Sequence, residues 1–251
     1  MANLLAEAFR RLFKGKRFYV VLIVLCCIAS FIPLLNFLLA DSMEERGHAD
    51  QLLFILAGQI PMFVSIAAGL LICQDFRNNT IRNKIIIGHS RASIYMANLI
   101  MSLVTMLIYY LANIIVVIIL GNVLMSGFES FPSVGIFQKM LMIVAIETAF
   151  TSTIVFICNT MKTTGGFVLS LCMHYILSTF EPFLGLVPGK YRKAVDFIME
   201  VVPSFQITLV VYNTKADGVP EKWYIILTAC VIITVATTVL GIEAFNKSDL
   251  K

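Results

Sequence analysis

Residues 74–98 read QDFRNNTIRNKIIIGHSRASIYMAN and lie between two apolar stretches, each long enough to cross a bilayer. A polar, basic hairpin anchored at both ends by membrane helices has to present itself to water on one side of the membrane. Inside it, Thr80 suits the cap of a short helix beginning at Ile81, and Gly88 suits the left-handed turn that stops such a helix. Ser90 is placed to cap the next helix, which runs on into the following span. An ordinary surface loop has no need of three successive apolar residues such as Ile85, Ile86 and Ile87. They face lipid or fill the groove of a partner.

The rest of the chain agrees with a membrane setting. Of its 251 residues 59% are apolar and 14% charged, and its mean hydropathy is +0.89, whereas soluble domains carry about 25% charged residues. About 20 apolar residues at helical rise cross the roughly 30 Å hydrocarbon core. Residues 18–40, 52–73, 99–120 and 223–242 meet that length with no charge at all. Residues 140–158 and 167–186 meet it with one acid each, Glu147 and Glu181. Six spans and a single all-α transmembrane domain over 1–251 follow, because a lipid-facing backbone must satisfy its own hydrogen bonds and no alternating strands are present. The first apolar run, 23 residues long, exceeds a signal-peptide core. Its end at Leu38-Leu39-Ala40 lacks small residues at both cleavage positions, so it is expected to remain in the mature protein.

Orientation is read from Lys and Arg. With the N-terminus inside, twelve basic residues fall on the cytoplasmic side and seven outside. Nine of the twelve lie in the first flank and the 74–98 hairpin, where the positive-inside rule is strongest. Both termini are expected in the cytoplasm, and the net charge of +4 reflects this asymmetry and points to no nucleic acid. The first seventeen residues set Leu4, Leu5, Ala8, Phe9, Leu12 and Phe13 apart from Arg10, Arg11 and Lys14, a pattern for a short amphipathic helix on the inner leaflet. A plain basic flank is the alternative. Between Val187 and Lys222, two apolar pieces, 194–202 and 205–212, are separated by Pro203. Each reaches only about 12–14 Å as a helix, too short to cross, so they are expected as re-entrant or interfacial outer helices.

The chain offers little to an enzyme reading. There is no HExxH or GxSxG pattern. The stretch from Gly185 to Tyr191 imitates a phosphate loop but is one residue short, with Tyr in place of Ser or Thr. The six cysteines all fall in or at the ends of apolar runs without CxxC spacing, so they read as small hydrophobes. On the fifth span Ser170, His174, Ser178 and Glu181 fall on one stripe about 80° wide, and Glu147 and Thr151 make a similar stripe on the fourth. Ionisable groups at mid-depth cost about 2.5–3.5 kcal/mol on insertion scales and turn towards protein or water. Glu181 beside Pro182 equally suits a helix cap at the interface, His174 a packed histidine, and Glu147 a structural hydrogen bond. Pro33 and Pro61 are expected to kink their helices.

The order DFRNNTIRNKIIIGHSRASIY resembles the loop signature of ABC-2 type transporter permeases of bacterial, Firmicutes-like exporters, with Asn79 where such loops often carry Gly. Gly241, Phe245, Lys247, Asp249, Leu250 and Lys251 are similar to a GxxxFxKxDLK ending found in these subunits. The resemblance implies that the hairpin is a coupling helix against a cytosolic ABC ATPase, with Asp75, Arg77, Thr80, Ile81, Arg82, Asn83, Lys84, Ile85, Gly88 and Arg91 as its residues. It implies two ATPase copies carrying ATP and magnesium, no cofactor in this chain, and a second permease copy, identical or a sister. Because the second and fifth spans of the family border the translocation path, Gln59, Phe63, Ser170, His174 and Ser178 are expected near cargo, with Glu147 and Glu181 joining them as intramembrane acids. The expected activity is alternating-access export from a bacterial plasma membrane of a hydrophobic or amphipathic cargo: a peptide toxin or antimicrobial peptide first, then a drug or lipid. An ATPase-independent secondary transporter or channel using Glu147, His174 and Glu181 is the main rival, and a non-transporting scaffold or sensor is the third reading.

Overall fold

A computed structural model describes residues 2–40, 49–128, 133–184, 186–211, 220 and 222–247. Among these residues all regular structure is helical. Six helices are long and apolar enough to cross a membrane. Residues 41–48, Tyr212 and the last four residues of the C-terminal motif lie outside the described residues.

The amphipathic start forms α1 (Ala2–Lys14), which buries Leu4, Ala8 and Leu12 one turn apart. Gly15 then makes the elbow into α2 (Lys16–Leu39), its N–H donating to the carbonyls of Arg11 and Leu12. The second span is broken into pieces: α3 (Asp50–Ile55), a 3-10 turn, α4 (Ile60–Val64), a π turn over Ser65–Gly69, and α5 (Leu70–Arg77). Pro61 sits in the first turn of α4, where its missing N–H is no loss. The π turn is the kind of local widening that recurs at functional positions inside helices.

After the hairpin, α7 (Arg91–Leu124) and α8 (Ser133–Met161) form an antiparallel pair, and α9 (Thr164–Leu184) follows. The third helix extends eight residues beyond the apolar run towards the hairpin because Ser90 caps it, accepting from the Ser93 N–H. The long connection before the last span folds as α10 (Arg192–Val201) and α11 (Pro203–Val211), bent by 93° at the break before Pro203. Gln206, fully buried, fixes that bend by donating to the carbonyls of Glu200 and Val201 while accepting from the Cys230 thiol. Ile207 of α11 packs so closely on Gly58 that a Cβ there would lie 2.9 Å from its Cγ2. The last helix, α12 (Trp223–Lys247), makes its most extensive contact along α8.

Burial separates the spans into inner and outer ones. Of the apolar windows, 67% of the second span and 61% of the fourth are enclosed, against 6% of the fifth. α8 is therefore the central post, while among the described residues of α9 few are fully buried.

The C-terminal Gly241 is explained by one contact. Tyr95, fully buried on α7, donates to the Thr237 carbonyl, and its ring crosses α12 at the place a Cβ on residue 241 would occupy. In an exposed helix Gly→Ala gains about 1 kcal/mol. Here overpacking reverses the sign: Gly241→Ala is expected to cost about 1–3 kcal/mol, read as a lowered Tm of the purified chain. An unchanged or raised Tm would contradict this packing.

Candidate coupling site

The hairpin folds as anticipated in outline and differs in detail. The helix α6 runs Thr80–Ile86, so Thr80 is its first residue and does not cap it. Asn79 occupies the N-cap position in the left-handed region, φ 55 and ψ 18. That conformation costs most L-residues about 1–2 kcal/mol, and Asn is one of the few that visits it routinely, which accounts for Asn standing in a Gly position. At the other end Gly88, with φ 100, closes a Schellman motif: the His89 N–H donates to Lys84 and the Gly88 N–H to Ile85.

The faces of α6 are divided by a buried ion cluster. Asp75 at the end of α5 is 4% exposed and Lys84 6%, and they form an ion pair of 3.3 Å. Arg11 of α1 is hydrogen-bonded to the other Asp75 oxygen, and Glu7 of α1 lies 3.6 Å from Lys84 and 3.9 Å from Arg11. Burial alone would lower the pKa of Arg11. The Asp75 and Glu7 carboxylates outweigh burial and hold it above its ordinary value. Arg17 adds a bond to Gln74 at 2.7 Å. Ile81 is buried on the same side, so α1, α5 and α6 are locked together.

Several residues proposed from sequence to face an ATPase therefore do other work. Asp75, Ile81 and Lys84 turn inward. Arg91 caps the last helix, donating to the carbonyls of Phe245 and Asn246 at 3.1 and 2.8 Å. Phe245 stacks edge-on with Phe76, centroids 5.8 Å apart. What points outward is a compact tip: Arg77, Arg82, Asn83 and Gly88, with Ile86 and Ile87 exposed by 74% and 76%. Thr80 and Ile85 are half-buried at its margin.

The intramembrane residues are dispersed. The hydroxyl of Tyr175 on α9 donates to Gln59 at 3.0 Å, whereas Phe63 is buried inside the bundle. Ser170 faces inward, donating to the Phe167 carbonyl and lying 3.9 Å from the Cys158 sulfur. Glu181 accepts from Thr208 at 2.8 Å and so ties α9 to α11. Glu147 is fully buried, with neither carboxylate oxygen partnered among the described residues. The side chains of His174 and Ser178 lie outside the described part of the structure. Glu181 is thus a brace between α9 and α11. Sequence reasoning missed Tyr175 and the tertiary partners Glu7 and Arg11. Glu7 and Arg11 are visible only as an i, i+4 pair on an amphipathic helix, a signal that says nothing of where that helix docks.

Six helices long and apolar enough to span, an amphipathic start and a braced short helix between the second and third spans define a polytopic membrane protein. The sequence profile of the ABC-2 family transporter proteins matches residues 11–181. The chain belongs to that family: it is a multi-pass membrane permease subunit of an ABC transporter, a class that works with an ABC ATPase subunit. No curated protein matches the chain.

Two outcomes test the cluster. Asp75→Ala leaves Lys84 buried without its nearest counter-charge, and breaking buried pairs in this way costs about 3–5 kcal/mol; the yield of folded chain should fall sharply, and Lys84→Met in the same chain should restore part of it. At position 79, Asn79→Gly should leave Tm within error while Asn79→Val lowers it by the equivalent of about 1–2 kcal/mol. Equal Tm values for the two would refute the left-handed cap.

Proposed function

We propose that the chain is the membrane half of an ATP-driven exporter and that the tip of α6 is the coupling element, seated in a cleft of a cytosolic ATPase. The reading rests above all on the exposed pair Ile86 and Ile87 beside Arg82. Two adjacent isoleucines in water are costly at about 25 cal/mol per Å² of apolar surface, and a partner groove removes that cost. A cation and a polar amide beside them supply orientation. The working assembly is two permease copies, identical or sister chains, with two ATPase subunits that carry ATP and magnesium. Hydrolysis belongs to those subunits, and this chain acts without chemistry of its own. It sits in a bacterial plasma membrane with hairpin and termini in the cytosol, and closure of the ATPase pair pushes α6 and opens the path outward.

Cargo follows from surface chemistry. The spans offer broad apolar walls with few polar groups, which suits a hydrophobic or amphipathic substrate; peptides come first, then drugs and lipids. A secondary transporter would string Glu147, His174 and Glu181 along a water path. Against it, Glu181 is bonded to Thr208 and Glu147 is enclosed.

Arg82→Glu combined with Ile86→Ser and Ile87→Ser alters only exposed positions, where substitutions stay within about 0.5 kcal/mol. Folded yield should be unchanged, while co-purification of the ATPase and cargo-stimulated ATP hydrolysis should fall at least about tenfold, the effect of about 1.4 kcal/mol lost from the contact. Retention of both activities at full level would overturn the assignment.

A further inference from the structure

At the elbow between α1 and α2 a cavity of about 250 Å³ opens to the surface. Arg11, Lys16 and Arg17 supply cations to its wall, and Leu12, Phe18 and Ala67 supply apolar surface. Its contents are bounded on one side by the π turn of the second span and on the other by the start of the first. Because α2 begins at Lys16, the cavity sits where the first span leaves the hydrocarbon. The lipid-facing residues Tyr19 and Val20 just beyond are exposed by 49% and 57%.

The charges around the cavity are unequally committed. Arg11 is held by Asp75 and Glu7. Arg17 spends one nitrogen on Gln74, a neutral partner, and so keeps its charge uncompensated. Lys16 is exposed and has no partner among the described residues. No Asp or Glu occurs between Glu7 and Asp41, while Arg10, Arg11, Lys14, Lys16 and Arg17 do. Positive charge with apolar wall at headgroup level matches one ligand chemistry: a phosphate esterified to something greasy. The volume equals roughly eight waters at about 30 Å³ each, room for a phosphoglycerol head and too little for a whole lipid, whose chains would lie outside along α2. Basic pockets between helices at this level bind anionic headgroups elsewhere.

We propose that the elbow cavity binds the phosphate headgroup of an anionic phospholipid, on the leaflet shared with the hairpin, with Lys16 and Arg17 as the phosphate ligands and Phe18 and Ala67 against the glycerol backbone. The site is separate from the outward tip of α6 and stands whether or not that tip meets an ATPase.

Native mass spectrometry of the full-length chain, titrated with phosphatidylglycerol and with phosphatidylcholine, tests it. One phosphatidylglycerol should be retained with at least about tenfold preference. Lys16→Glu, at an exposed and unpartnered position that does not threaten folding, should remove that preference, and Arg17→Gln should weaken binding about fivefold, as expected for about 1 kcal/mol per basic residue near a membrane surface. Raising salt should weaken binding in the unsubstituted chain. Equal retention of the two lipids, or undiminished phosphatidylglycerol binding in Lys16→Glu, would overturn the proposal. Competition by inorganic phosphate at concentrations matching the lipid would also overturn it, since it would mark a plain anion site.

Discussion

Two cations converge on one buried carboxylate, Asp75, and it is the residue on which the hairpin side of this protein depends. It sits at the end of the second span, nearly sealed from water, and its two oxygens are met by cations from different elements: Arg11 from the N-terminal helix and Lys84 from α6. Opposite charges at about 3–4 Å in a poorly hydrated place attract strongly but also lose their hydration, so such a cluster contributes geometry more than net stability. The geometry is what matters here. The cluster turns Lys84 and Ile81 inward and, by helical periodicity, turns Arg82, Ile86 and Ile87 outward.

From that constraint the mechanics of a permease follow. A helix of seven residues is far too short to be stable by itself in water; α6 persists because its cap, its Schellman turn and the ion cluster hold it. Once held, it is a rigid knob fixed to the second span and to α1, and α1 in turn is fixed to α7. The knob is thereby packed, directly or through α1, onto the first three spans. The second span, broken by a 3-10 turn and a π turn, is the segment whose backbone is least regular along that route. The opposite end is held by a different lock, in which Gln206 and the Glu181–Thr208 bond fasten the bent pair α10 and α11 to α12 and α9. Arg11, a member of the ion cluster, also lines the elbow cavity.

Much of the fold was legible because membrane insertion imposes length and polarity rules that a single sequence displays openly. The six spans, the amphipathic start, the Gly88 and Ser90 boundaries and the break at Pro203 could all be read that way. The ABC-2 resemblance carried by DFRNNTIRNK agrees with the family match over residues 11–181. What could not be read was direction. Lys84 and Arg82 are two cations two residues apart, and only the third-dimension neighbour Asp75 decides that one is a buried strut and the other exposed. Arg91 looked like part of a basic docking loop because the two carbonyls it caps lie more than 150 residues away. Thr80 suits a cap by residue type, but Asn79, which ranks above Thr at that position, takes the N-cap place in the left-handed region. The intramembrane polar residues shared a stripe on a helical wheel, yet a wheel does not say which neighbour each one meets.

The central claim is that the outward tip of α6 is where an ATPase is gripped, and a photo-crosslinker at position 87 addresses it most directly. In membranes holding the assembled transporter, irradiation should give an adduct between this chain and the ATPase subunit, absent when the same group is placed at position 20 on the lipid-facing side of α2. An adduct formed only with lipid at position 87 would contradict the account.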